Sequence, residues 1–281
     1  MLPTDEQSRL TYRAFFPENA DYSQQVAGVT PISSICYISF GCRPNADEKK
    51  ARGEFVVADV LSDNKDAIHP KPYIEAKEII RWTHTQNRWL EWGTERSPHM
   101  RARPTFVQLY EVPEKIVGAD VSGAENRAAY DNKKVWHSHT LISFVPWHSL
   151  AGVRNNSIKK SARYPEETPP RPDLPNRKEL EKTSTRFAVK YLLAVMNSTM
   201  ARDFLRANRR SNIHLYPDDW KKLPVPDATP EEQAPIIELV DRILDAKRID
   251  HSADVSALEA QVHAIVSNLY CGAAETAREE D

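Results

Sequence analysis

Along the first 163 residues the apolar positions come in brief runs rich in β-branched and aromatic side chains. Ile32–Phe40, Gly53–Val60, Phe106–Tyr110, Lys115–Val117 and Thr140–Pro146 are such runs, and each predicts a strand. Turn formers separate them, among them Arg43-Pro44-Asn45 and Ser122-Gly123. Tyr73–Trp82 differs: Glu75, Lys77, Glu78 and Arg81 make a polar face and predict a short turn or helix. Beyond the proline-rich stretch Tyr164–Pro175 the period becomes helical. Phe187, Tyr191, Leu192 and Val195 fall at helical spacing within Lys178–Met196, and Met200–Arg209 resumes after the Asn197-Ser198-Thr199 break. Ile213–Val225 reads as extended, ending in Leu223-Pro-Val-Pro226.

Two more helices follow. Thr229-Pro-Glu-Glu232 offers an N-cap Thr, Pro at the first helical position and Glu at the third, a capping box worth about 1 kcal/mol. Ile236, Ile237, Val240, Ile243 and Leu244 are its apolar face. From about Asp254 a last helix places Leu258, Val262, Ile265 and Leu269 on one side and is expected to stop at Gly272. The pattern predicts an α+β fold, a mixed or antiparallel β domain followed by a helical part. Its expected divisions are an N-terminal extension (1–29), a β-rich domain (30–163), a proline-rich linker (164–176), a helical support region (177–272) and an acidic tail (273–281).

Composition narrows the class. Apolar residues make up 40% and charged residues 28% of 281, the balance of a soluble globular protein. The longest apolar run, Phe187–Met196, is broken by Lys190 and is too short for a membrane span. The start of the chain is polar from Thr4, unlike a secretory signal. Cys36, Cys42 and Cys271 form no C-x-x-C pair and read as free thiols, so a cytoplasmic protein is expected. The net charge of −2 hides a partition. Residues 65–163 carry 16 basic and 10 acidic groups, and 176–222 carry 11 and 5; 223–281 carry 4 and 13. A basic middle is the electrostatic footprint of a polyanion partner, with a mixed solvated surface as the competing reading.

Catalytic motifs are not evident. With 8 glycines the chain holds no G-x-G-x-x-G or P-loop arrangement, and no Asn-Pro-Pro-Tyr segment of the kind that grips a flipped adenine. Nuclease-like letters occur at Pro226-Asp227 with Asp245-Ala-Lys247, and at Pro217-Asp-Asp219-Trp-Lys221. Asp227 at a helix start and Asp245 several turns on are not expected to share a cation. His137-x-His139 lacks a third ligand nearby, and His214 and His263 stand alone. No metal site and no catalytic residue is expected.

Several passages together resemble a known family. Asn212–Pro226, followed by Thr229-Pro-Glu-Glu-Gln233 and an Ile/Leu/Val helix, resembles the end of a target-recognition domain. Tyr191-Leu-Leu-Ala-Val-Met-Asn-Ser198 resembles the helix before it. Gly53–Asp59, Pro72-Tyr-Ile-Glu75, Arg81-Trp82 and Val112-Pro-Glu-Lys-Ile-Val117 resemble its opening strands. The family is the TaqI-like C-terminal specificity domain of type IIG restriction–modification methyltransferases, related to type I specificity subunits. The resemblance spans roughly residues 30–270. It implies a non-catalytic module that reads duplex DNA for a methyltransferase, and in some systems a nuclease, which this chain lacks. S-adenosylmethionine would bind that partner, which flips and methylates an adenine. The family's base-reading residues vary with the target, so none can be carried over by position.

Residue chemistry marks the candidate reader. Arg and Lys suit guanine and phosphate, Asn and Gln suit adenine. The segments rich in them contribute Lys77, Arg81 and Arg88; Arg96, Arg101 and Arg103; and Arg127, Lys133 and Lys134. Arg154, Asn155, Asn156, Lys159 and Lys160 form the preferred loop, with a polar surface loop as the plain alternative. Arg202, Arg206, Arg209 and Arg210 make one helical stripe suited to phosphates or to solvent. The six tryptophans read mostly as core. Two other classes remain open: a scaffold or inhibitor that kept the fold without DNA binding, and an enzyme revealed by converging carboxylates or histidines.

Overall fold

The computed structural model describes residues 28–42, 44, 55–96, 106–119, 126–167, 171–209, 211 and 214–279, with side chains as far as 271. Strand β1 (Val29–Pro31) leads into a single helical turn, α1 (Ile32–Ile35), and then β2 (Cys36–Phe40). The strand predicted over Ile32–Phe40 therefore starts late. Ile32 and Ile35, three apart, are both fully buried, which one helical turn permits and a strand's alternation does not. Next come β3 (Leu61–Ser62), β4 (Lys71–Ile74), β5 (Ile79–Ile80), β6 (Thr83–His84) and β7 (Arg88–Leu90). They are followed by α2 (Gln108–Glu111), β8 (Lys115–Ala119), β9 (Ala128–Asp131), β10 (Trp136–His137) and β11 (Leu141–Pro146). The helical part holds α3 (Arg177–Ser184), α4 (Val189–Met196), α5 (Thr199–Asn208), α6 (Pro217–Lys221), β12 (Pro224–Pro226), α7 (Pro230–Ile249) and α8 (Ser256–Glu279).

Several predicted elements change type, each for a local reason. Val57–Val60 is a 3-10 turn in place of a strand, because the Asp59 carboxylate accepts the Val56 N–H at 2.7 Å. Consecutive Leu109 and Tyr110 are both fully buried, so Phe106–Tyr110 gives way to α2. Within Tyr73–Trp82 only Ala76–Glu78 is helical, between β4 and the β5–β6 hairpin. Pro217 at the first helical position and the Asp219 carboxylate on the Tyr216 N–H (2.8 Å) start α6 inside a segment read as extended. Lys178–Met196 is two helices, since the Ala188 N–H donates to the Gln233 side chain. The last helix continues past Gly272 to Glu279. The Thr229 cap forms as predicted: its hydroxyl accepts the Glu232 N–H at 3.3 Å and the Glu232 carboxylate accepts the Thr229 N–H at 2.8 Å.

The main sheet is antiparallel, ordered β2-β11-β8-β9, with Phe144 of β11 opposite Ile38 on one side and Ile116 on the other. A smaller mixed sheet runs β10-β4-β7-β3, with β10 and β4 parallel. Gly41 lets the two sheets touch, since a Cβ there would lie 2.2 Å from His137 Nδ1. One core cluster joins Ile38, Ile116 and Phe144 to Leu192, Val240 and Val262 of the helices. The fold is α+β, and the sheet and the helices share that core. Among the described residues no helix is long and apolar enough to cross a membrane.

Candidate nucleic-acid interface

Trp82, Tyr191, Asn197 and Gln233, from passages that carry the family resemblance, are buried joints of the frame. Strand β12, Pro-Val-Pro, pairs with β1, and its prolines leave carbonyls that need donors. Tyr191 supplies a hydroxyl to Pro226 O at 2.8 Å, and Tyr270 supplies one to Pro224 O at 2.6 Å. Gln233 of α7 is buried. Its side-chain oxygen accepts the Ala188 N–H at 2.9 Å, and its amide donates to Arg186 O and Ala228 O at 2.8 Å each. Asn197, at the end of α4, accepts the Ala128 N–H (3.0 Å) and donates to Ala128 O (2.9 Å), which fixes the helix to β9.

Arg81 and Trp82 form the turn between β5 and β6. Trp82 has φ +78°, at a turn position that ordinarily calls for Gly or Asn. Packing holds it there. Its N–H donates to Ala128 O and its carbonyl accepts the Tyr130 N–H, both at 2.9 Å, while its indole N–H donates to Glu259 of α8. Arg81 donates to Glu259 (3.2 Å) and to Asn197 O (2.6 Å), and lies 3.0 Å from His263 Nε2. The hairpin is thus fastened at once to β9, α4 and α8.

A buried polar cluster sets the next turn. Lys115 and Asp131 are both fully shielded and paired, and Lys115 also donates to Tyr110 O at 2.7 Å. Asp131 further accepts the N–H groups of Lys133 (2.8 Å) and Val135 (3.1 Å), and His84 Nε2 lies 3.4 Å away. Burial alone raises the Asp131 carboxyl, but the Lys115 ammonium and His84 outweigh it and hold the group well below the usual carboxylate range. The cluster shapes the 131–135 turn, whose Lys133 and Lys134 are exposed and whose Lys134 adopts φ +57°. His137, beside it, is buried, and its Nε2 lies 2.6 Å from the Ser143 hydroxyl. Burial, then the Lys115 charge, pulls its pKa from 6.5 to about 3.

His137 gives a pH prediction. A depressed histidine stabilises the fold above its unfolded value of 6.5, and that stability is lost as pH falls toward about 3. Between pH 6.5 and about 4.5 the chain should lose about 2–3 kcal/mol through this group. Denaturant midpoints at the two pH values measure it, and His137→Gln should flatten the slope.

Residues 151–167 form the second cation-bearing loop. Gly152 turns it at φ +74°, and the Gly152 N–H donates to the Tyr164 hydroxyl (2.9 Å), which in turn donates to Glu181 at 2.6 Å. Asn155 accepts the Ser157 N–H at 2.7 Å, and buried Ile158 anchors the 3-10 turn Ile158–Lys160. Arg177 donates to Val153 O at 2.9 Å and to Leu150 O, clamping the loop from α3. Arg154 is 59% exposed, and Asn156 and Lys160 also face solvent.

The remaining candidates divide by what they touch. Arg81 belongs to the frame joint. Arg88 pairs with Glu75 (2.9 Å) and Glu78 (3.0 Å), and Lys77 is exposed near the same two carboxylates. Arg96 is bound by Glu91 at 2.7 Å and by Asp59 O at 2.7 Å. Arg127 is half-buried and Arg202 pairs with Asp203 at 3.0 Å. Because α5 ends at Asn208, Arg202 and Arg206 share the helix, while Arg209 lies beyond its end. Arg101, Arg103 and Arg210 lie outside the described residues.

Among the described residues no group of three or more His, Cys, Asp or Glu could hold a metal ion. Asp227 accepts the Thr30 hydroxyl at 2.6 Å while Asp245 pairs with Arg248 at 3.1 Å; in the second set Lys221 pairs with Asp218 at 2.7 Å, and Asp219 is taken up by the Tyr216 N–H. Trp82, Trp136, Trp147 and Trp220 are core, and Trp89 and Trp92 are part-buried. Sequence reasoning passed over Lys115, Asp131, Arg163 and Glu167. The last pair sits four apart at the edge of the proline stretch, a spacing that could have been read as an ion pair.

No family model matches the chain, and no curated protein does. Among solved structures it is similar to a component of a type I restriction–modification system, a structure concerned with complex assembly and conformational transition. That match covers 98% of this chain and 51% of the other, at 13% identity and TM-score 0.41. It is similar to the type IIL restriction–modification enzyme MmeI in complex with DNA over 95% of this chain and 36% of that one, at 12% identity and TM-score 0.45. The HsdS subunit from Thermoanaerobacter tengcongensis is similar over 96% of this chain and 51% of its own length, at 14% identity and TM-score 0.40. The chain spans about half, or less, of the length of these proteins.

Proposed function

We propose that the chain is a sequence-reading DNA module of a restriction–modification system, with no chemistry of its own. One observation carries this reading: Trp82, Tyr191, Asn197 and Gln233, which lie in the passages that resemble target-recognition domains, are buried joints, while exposed cations and amides ride on loops that a buried ion pair and Arg177 hold in place. A fixed frame with polar, cation-bearing loops is what sequence readout of a duplex needs, because base-edge contacts lose their worth of about 1–3 kcal/mol each when their geometry slips. The reader is the 131–135 turn, the 151–163 loop and Lys77, with Arg101 and Arg103 as further contributors. The helices after residue 176 carry the reader and dock a type IIG-like adenine methyltransferase, which binds S-adenosylmethionine and works in the cytoplasm.

Selection from a random-sequence duplex pool tests the proposal, run at low salt with and without a methyltransferase that lacks its own recognition domain. Enrichment of a defined motif supports it. A pool that stays random under both conditions rejects it in favour of a scaffold that kept the fold. Salt dependence alone decides nothing, because nonspecific binding shows it as well.

A further inference from the structure

Three cations converge on one carboxylate at the end of the 151–167 loop. Arg154 Nη1 lies 3.6 Å and Lys159 Nζ 3.8 Å from Glu167 Oε1, and Arg163 Nε lies 3.4 Å from Oε2. All three separations exceed the ~2.7–2.9 Å of a charge-assisted hydrogen bond. One negative charge therefore faces three positive ones that it does not engage closely. Arg163 supplies a second observation: its Nε and Nη2 are buried and make no hydrogen bond. Buried donors are normally paired; Nε has the Glu167 carboxylate 3.4 Å away, while Nη2 has no partner.

The cluster is also built in depth. Glu167 is 5% and Arg163 11% exposed, while Lys159 and Arg154 are 39% and 59% exposed, so the carboxylate lies at the floor and the two exposed cations at the rim. The backbone beneath is pinned, since the Arg163 N–H donates to Pro175 O (3.1 Å), the Arg177 N–H to Arg163 O (2.9 Å) and the Glu167 N–H to Tyr164 O (3.0 Å).

We propose that Arg154 and Lys159 bind one phosphate oxyanion at the rim, with the Arg163 charge beneath them supporting it. Glu167 holds the cations in place while the site is empty and moderates its affinity. In the chain's proposed role the oxyanion is a backbone phosphodiester of duplex DNA. That source rests on the role; the oxyanion chemistry does not.

The test is equilibrium binding of the full chain to a labelled random-sequence duplex across a salt series, for the wild type, R154A/K159A and E167Q. The double variant should bind more weakly, and its slope of log affinity against log salt should become shallower by about 0.9 for each phosphate no longer neutralised. E167Q, isosteric with the wild type, should bind more tightly. If the wild type binds but neither variant changes affinity or slope, the site is overturned while the DNA reading stands. If R154A/K159A does not fold, E167Q decides alone: tighter binding supports the site and unchanged binding overturns it. If the wild type binds no duplex, inorganic phosphate is titrated while the Arg163 Nε–H resonance is followed. A saturable shift keeps the site and removes the DNA role; no shift overturns the site.

Discussion

Lys115→Ala is expected to lower the unfolding free energy by about 3–5 kcal/mol, the usual cost of stripping one partner from a buried ion pair. The size follows from burial: Lys115 and Asp131 are each 0% exposed, so water cannot replace the missing ammonium. Asp131 keeps two backbone N–H donors and His84, which softens the loss without cancelling it. The double variant K115M/D131N should recover much of the stability, because no buried charge is then left unpaired. A chemical denaturation series on the wild type, K115M, D131N and K115M/D131N measures the coupling. A Lys115→Ala cost below about 1 kcal/mol, the level of an exposed pair, would mean that the cluster does not set the 131–135 turn. Asp131 adds a pH signature of the opposite kind to a raised group. Its contribution is present above the ordinary aspartate value of 3.8 and is lost as pH falls through the depressed native value below it. D131N should remove that acid limb.

Asn197→Ala is the second large effect, with an expected loss of about 2–3 kcal/mol. The side chain meets both backbone groups of Ala128, which is itself fully buried. Truncation leaves the Ala128 N–H without this acceptor in a place that water does not reach, and an unmade buried hydrogen bond costs more than a made one contributes. The Ala128 carbonyl retains the Trp82 N–H, which limits the damage. Denaturant midpoints again provide the measurement. A loss near 0.5 kcal/mol would show that the junction of α4 with β9 rests on apolar packing alone.

What could be read from the sequence follows how local each signal is. The Thr229–Glu232 box was legible because cap donor and acceptor lie within four residues, and β8 and β11 because each is a short continuous run of β-branched and apolar residues. The helical turn at Ile32–Ile35 and the start of α6 at Pro217 depend on a few side chains that also suit an extended chain, and there the pattern pointed the wrong way. The site was harder still. Arg81, picked as a DNA contact for its charge, meets Glu259 and Asn197, 178 and 116 residues along the chain. Asp131 and Lys115 sit in short β runs where nothing nearby announces an ion pair. Glu167 lies in what reads as linker, and its importance appears when Arg154, Lys159 and Arg163 are brought around it. Charge counts along the chain could mark a basic middle but could not separate cations held by carboxylates from those facing solvent.

A fixed frame that presents reading loops to DNA is tested most directly by amide hydrogen exchange of the full chain with and without duplex. Slowed exchange on DNA binding is expected in residues 131–135 and 151–163, with α7 and α8 unchanged. Slowing confined to α7 and α8, or no slowing anywhere under conditions where the duplex is bound, would contradict it.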